Sequence, residues 1–209
     1  MAKYFKYFPK TFYTTGDNLD TVTNIISRFS FEQSFEKNSS VYYEYNVQES
    51  DTPEIIASKF YENPERHWIV LLFNQIIDPQ FDWPLQYNTL IEFVDSKYTA
   101  NANTQNNQTG LAWAQSNTKE YFKIITRTSA DGAQIIEKLN LDANTYANVA
   151  TSTNNYALDS GDIVSVVVSK ETQSYYDYEV EENEKKRQIK LLKPDFVSAV
   201  EQEFKRVIA

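Results

Sequence analysis

Histidine occurs once in this chain, at position 67 between Arg66 and Trp68, and it is the first residue to test for chemistry. As a general base it requires a nucleophile and an orienting acid within hydrogen-bond reach. As a metal ligand it requires a set of carboxylates, because the chain has no second imidazole and no thiolate. A helix histidine with a packing or surface role fits these surroundings. The acidic run EVEENE, residues 179–184, has the composition of a solvated helix face rather than of a paired acid and base. A glycosidase pair, whose two acids can lie far apart in sequence, has no residue pointing to it. The four glycines, Gly16, Gly110, Gly132 and Gly161, form no phosphate-cradling loop. A non-enzymatic protein with no metal or cofactor is the expectation.

Composition narrows the remaining classes. With 209 residues the chain can form one domain with a sizeable core, or a small module with extensions. The absence of cysteine excludes disulfides, thiolate nucleophiles and Cys-type zinc sites. A net charge of −9 argues against binding nucleic acid or an anionic membrane, since both need neutralising Lys and Arg. The start, MAKYFKYFPKTFY, lacks the apolar run of a secretory signal, and WIVLLF at 68–73 is too short to span a bilayer. A soluble protein made inside the cell is expected. Aromatics reach 15%, with 15 Tyr and 13 Phe. Tyrosine joins a large apolar face to a polar tip and so suits surfaces that a partner covers, although strand propensity also enriches it.

The elements that position these residues follow from pattern. Residues 1–13 form a basic aromatic arm, in which Tyr4, Phe5, Tyr7 and Phe8 are candidate partner contacts. Asp20 or Thr21 caps an expected short helix carrying Val22, Ile25, Ile26 and Phe29, and FEQSFEKNSS reads as linker. VYYEYNV alternates as a strand. Thr52-Pro53-Glu54 and Asn63-Pro64-Glu65 each combine a cap, a proline at the first helical position and an early acid, which predicts two short helices. TLIEFV at 89–94 reads as a second strand. The polar stretch 99–118 has Trp113 isolated within it, a candidate anchor that orders on binding. EYFKIITRT and DIVSVVVSK are strands. SYYDYEVEENEKKRQIKLL runs into a strand or helix, and PDFVSAVEQEFKRVI is a terminal amphipathic helix. Lys185, Lys186 and Arg187 form a basic patch suited to fixing register on an acidic neighbour.

The segment YNVQESDTPEIIASKFY followed by Trp68, Leu71-Leu72-Phe73-Asn74 and Asp78-Pro79 resembles the LysM module, a βααβ unit best known for binding N-acetylglucosamine polymers. Ser50-Asp51-Thr52 stands where that family usually carries Gly-Asp-Thr. The longer string ENPERHWIVLLFNQIIDPQFDW, together with EENEKKRQIKLL and VTNIISRF in the right order, closely resembles the LysM-like baseplate wedge subunit of T-even-type contractile-tail bacteriophages. The resemblance does not extend over about 97–175.

Pattern and resemblance together predict an α+β fold: an N-terminal arm and helix (1–40), a βααβ LysM-like module (41–96), an inserted β-rich region read from strand pattern alone (97–175) and a charged segment with a C-terminal helix (176–209). The family resemblance implies a structural protein of the virion, made in the host cytoplasm, that clamps adjacent wedges into the inner baseplate ring. Other wedge subunits are its expected partners, with hub or sheath-initiator proteins as further candidates. The alternative is a peptidoglycan- or chitin-oligomer-binding LysM module. Its groove would be formed by Glu49, Ser50, Asp51 and Thr52 in one loop and Gln75, Ile76, Ile77, Asp78 and Pro79 in the other. Ser50 replaces a glycine that would let a ligand approach the backbone, and the second loop is bulky, so protein contact ranks above glycan.

Overall fold

The computed structural model describes residues 4–16, 18–27, 29–103 and 106–208. In chain order the strands and helices are β1 (Lys10–Thr15), β2 (Asn18–Thr23), α1 (Gln33–Glu36), β3 (Tyr42–Asn46), α2 (Pro53–Tyr61), α3 (His67–Phe73), α4 (Pro79–Asp82), α5 (Tyr87–Tyr98), α6 (Gly110–Ser116), β4 (Thr118–Thr128), β5 (Gln134–Leu141), α7 (Ala143–Asn148), β6 (Ser152–Ala157), β7 (Ile163–Ser174), α8 (Tyr175–Lys185), β8 (Gln188–Leu192) and α9 (Pro194–Ile208). Helix and strand are mixed along the chain, an α+β composition. The chain forms two compact units, Met1–Gln86 with Asn183–Ala209, and Tyr87–Glu182.

In the first unit both expected helix starts form. The Thr52 hydroxyl accepts from the Ile55 amide at 3.3 Å with Pro53 in the first turn, and the Asn63 side chain accepts from the Glu65 amide at 2.9 Å. The second start opens as a 3₁₀ turn at Pro64–Arg66 before α3 begins. Ile56, Ala57 and Tyr61 of α2 and Ile69, Val70 and Phe73 of α3 turn inward against Leu191 and Leu192 of β8 and Val197 and Val200 of α9. Ile56, Ile69, Val70 and Leu191 are completely buried, and each such side chain contributes about 1.5–3 kcal/mol of transfer free energy. Asn74 fastens the end of α3 to β8. Its Nδ2 donates to the Val70 and Lys190 carbonyls at 2.8 Å each, and its Oδ1 accepts from the Lys190 amide at 2.7 Å.

Three expectations need correction. The strand read at Thr89–Val94 lies inside α5, where Leu90, Val94 and Tyr98 are buried at a spacing of four. The strand antiparallel to β3 is instead β8, with Tyr42 opposite Leu192 and Asn46 opposite Gln188. The short helix expected around Val22, Ile25, Ile26 and Phe29 is replaced by a hairpin. β1 and β2 pair from Lys10–Thr23 to Thr15–Asn18, reversing at Gly16, whose φ of 62° suits glycine. Ile25 and Ile26, which the helix would have buried, are exposed. Residues 1–3 of the arm, Asp17 and Arg28 lie outside the described residues, as do Thr104 and Gln105 of the polar stretch. FEQSFEKNSS is no linker either: it contains α1, and Phe31 and Phe35 pack on the core.

The second unit holds a four-stranded antiparallel sheet in the order β5-β4-β7-β6. Its helices α5 and α6 meet closely at Gly110, where an added Cβ would lie 2.0 Å from the Asp95 carbonyl oxygen. Strands β5 and β6 are exposed along nearly their whole length, while β4 and β7 are half-buried.

Candidate interaction surfaces

The lone imidazole does no evident chemistry. His67 Nδ1 lies 3.0 Å from the Pro64 carbonyl, inside its own helix start. Among the described residues no cluster of three or more His, Cys, Asp or Glu side chains could hold a metal, and no helix is long and apolar enough to cross a membrane.

The first candidate loop, 49–52, is built around a buried acid. Asp51 accepts from Lys59 Nζ at 2.6 Å, from the Tyr45 hydroxyl at 2.5 Å and from the Gln48 amide at 3.1 Å. Burial alone would raise its pKa, but these donors more than offset that and hold the carboxyl below its ordinary range. Burial, reinforced by the hydrogen bond to Asp51, pushes the Tyr45 phenol up to about 12. Glu49 pairs with Arg187 at 2.7 Å, Thr52 caps α2, and Ser50 is exposed.

In the second loop, Gln75 adopts φ 57° and its amide donates to Glu36 at 2.8 Å. Ile76 packs on the core, Ile77 is exposed, and Asp78 caps α4 with Pro79 in its first position. Trp83, buried just beyond this loop, donates its indole N–H to the Asp51 carbonyl at 3.1 Å and so ties the segment back to the first loop.

The aromatic arm forms a 3₁₀ turn at Tyr4–Tyr7 against α3 and α9. Tyr4 stacks on Phe204 with centroids 5.1 Å apart and sits 5.2 Å from Trp68, while Trp68 lies 4.8 Å from Phe204. Burial raises the Tyr4 pKa. Phe8 is buried with Phe204 and Ile208, the Tyr7 ring receives Lys205, and Phe5 is about half exposed. Tyr4 and Tyr7 line a cleft of about 330 Å³ with Asn63, Arg66, Glu201 and Lys205. An ion pair between Arg66 and Glu201 at 2.8 Å closes one side of it.

The basic segment is largely engaged within the chain. Lys186 donates to the Phe81 carbonyl at 2.6 Å. Arg187, with a side chain only 13% exposed, pairs with Glu184 at 2.8 Å as well as with Glu49, and donates to the Val47 carbonyl. Burial would lower its pKa, yet the two carboxylates raise it overall. Lys185 ends α8 and is exposed. Next to these cations is a residue that the pattern did not flag. Buried Asn183 accepts from the Leu85 amide at 2.7 Å and donates to the Leu85 carbonyl at 3.0 Å. It closes the backbone just where the chain leaves the first unit and returns to it. A polar residue inside an acidic helix is its only sequence signal.

Trp113 belongs to α6, which Thr109 caps by accepting from the Ala112 amide. Its ring lies 4.9 Å from Tyr175 and 5.6 Å from Tyr98. The acidic run also differs from a solvated face: Glu179 is buried and accepts from Tyr98 at 2.7 Å and Lys97 at 2.8 Å.

The described surfaces combine exposed aromatic and aliphatic side chains with acids that hold loops together, and they include no metal cluster among the described residues. The family model described as base plate wedge protein 53 matches residues 3–207, and the chain belongs to that family. Members are structural proteins of the bacteriophage tail baseplate. No curated protein matches the chain.

Proposed function

We propose that this protein is a structural joint of the baseplate wedge, clamping adjacent wedge subunits into the inner ring through protein–protein contacts. The family match over residues 3–207 carries this reading. On it, the LysM-like unit consists of β3, α2, α3 and the distant strand β8. The surfaces offered to neighbours are the loops 49–52 and 75–79, exposed Phe5 of the arm, and the outlying β1–β2 hairpin with Phe12, Tyr13 and Leu19 exposed. A two-stranded hairpin is marginal in water, and β2 is exposed throughout, which supports its being completed by a neighbour. Other wedge subunits are the primary partners, with hub and sheath-initiator proteins beyond them.

Nothing in the comparisons supports the glycan-binding alternative, and Asp51 is committed to holding its loop. Co-expression with the other wedge proteins of the same phage tests the proposal. The tagged chain should carry wedge proteins through purification. Wedges that assemble without it would refute the joint. Saturable binding of N-acetylglucosamine oligomers, abolished by changing Ser50 and Ile77, would install the alternative.

A further inference from the structure

In an antiparallel sheet, residues directly opposite one another project on the same side. One face of the second unit's sheet therefore carries Ile125, Ile135, Leu139, Val166 and Tyr156. The other face mixes Phe122, Ile124, Ile136 and Val167 with Thr126, Thr128, Gln134, Ser165 and Ser169, and there Lys138 pairs with Glu171 at 3.6 Å, so charge rather than hydrophobicity separates the two faces. On the first face Ile135 is 62% exposed and Tyr156 54% exposed. Helix α7 covers only one end, through the contact of Tyr146 with Tyr121 at 5.0 Å. Among the described residues of this unit, α7 contacts this face through Tyr146.

The charges on this face are unbalanced as well. Lys123 and Lys170 stand directly opposite each other on β4 and β7, an arrangement that repels. Lys170 is accommodated over the Tyr146 ring and by the Ala147 carbonyl. Lys123 has no ion-pair partner among the described residues. The nearby carboxylates are taken: Glu137 pairs with Arg127 at 2.7 Å, and Asp142 caps α7 through the Asn144 and Thr145 amides. On a chain of net charge −9, this face has three cations, Lys123, Arg127 and Lys170, against Glu137 alone. A second copy would bring the same cations against it, and like charges in register oppose association.

We propose that this face docks an acidic amphipathic helix of another baseplate component. The helix would lie beside α7, with its apolar stripe on Ile125, Ile135, Leu139 and Val166 and a carboxylate at the Lys123–Lys170 pair. Four strands at ~4.8 Å spacing over roughly eight residues present about 500 Å². That is less than the ~800 Å² per partner of a free-standing interface, so the occupant is a segment of a protein held by further contacts. The inference rests on the baseplate role proposed above.

Zero-length carbodiimide crosslinking of assembled tails tests it, because that reagent joins only lysine and carboxylate groups in contact. The expected product links Lys123 or Lys170 to an Asp or Glu in an apolar-periodic segment of a different baseplate protein, and Lys123 should resist acetylation in the particle but not in the free chain. Lys123→Glu should enter particles about tenfold less well. Its melting should be unimpaired, because the change sets a carboxylate opposite Lys170, and Lys123→Arg should assemble normally. Equal acetylation of Lys123 in particle and free chain, a crosslink to a second copy, or normal incorporation of Lys123→Glu would each overturn the docking face while leaving the wedge role intact. Tails assembled without this chain would overturn the wedge role itself.

Discussion

Around α2, α3, β8 and α9 the aliphatic side chains face one another, and Ile56, Ile69, Val70 and Leu191 have lost all contact with water. In the sheet of the second unit, Ile135, Ile136, Ile163 and Tyr156 remain more than half exposed. Both regions have similar side chains available, so hydrophobicity does not separate them; the layer on top does. β8 lies in one core with α2, α3 and α9, whereas, among the described residues, β5 and β6 are exposed along nearly their whole length. A sheet with one missing layer satisfies its backbone but not its side chains, and an assembly can supply the missing layer. On the proposal above, the first region is stable alone and the second is completed by a neighbour.

Substitutions can break or sharpen this contrast. Leu191→Ala should have the largest effect, about 2–5 kcal/mol in urea unfolding, because Leu191 is completely buried in the core that β8 shares with α2, α3 and α9. Gly110→Ala, in the second unit, should cost about 1–3 kcal/mol or more through the clash with Asp95, showing that the helices of that unit are tightly packed although its sheet is open. Asn183→Leu should cost about 1–3 kcal/mol by leaving the Leu85 amide unpaired and its carbonyl with only the 3.5 Å bond from Arg187.

Asp51→Asn acts through pH. The folded carboxyl titrates below its ordinary value of 3.8, so its contribution is fully present above about pH 4 and is lost as pH falls through the folded pKa. The variant should be less stable at neutral pH and show a shallower acid limb, which unfolding measured across that range will resolve. Ile135→Ser should change stability least, by less than about 0.5 kcal/mol in the free chain, because the side chain is already wet. A larger loss there would mean that the sheet is covered within this chain and would erase the contrast.

Much of the first unit was legible because its signals are local. Thr52-Pro53 and Asn63-Pro64 fix helix starts by capping chemistry that needs no tertiary partner, and α9 announces itself by Val200, Phe204 and Ile208 along one face. The strand that completes the unit was not legible as such, since nothing near Tyr42 specifies pairing with Leu192. The Leu90–Tyr98 period of four was hidden by the strand-like run TLIEFV, and the N-terminal periodicity was outcompeted by the reversal at Gly16 that pairs β1 with β2. The contact residues were the least legible. A run such as Lys186-Arg187 has the same composition whether it reaches outward or, as here, binds the carbonyls of Phe81 and Val47.

Hydrogen exchange on the full chain, free and in assembled baseplates, tests the central contrast most directly. Amides of β3 and β8 should be slow in both states, since their protection comes from a core that the chain builds itself. Amides at the ends and edges of β5 and β6 should be fast in the free chain and slow in the assembly. Equal protection of β5 and β6 in the two states would contradict a sheet completed by its neighbours.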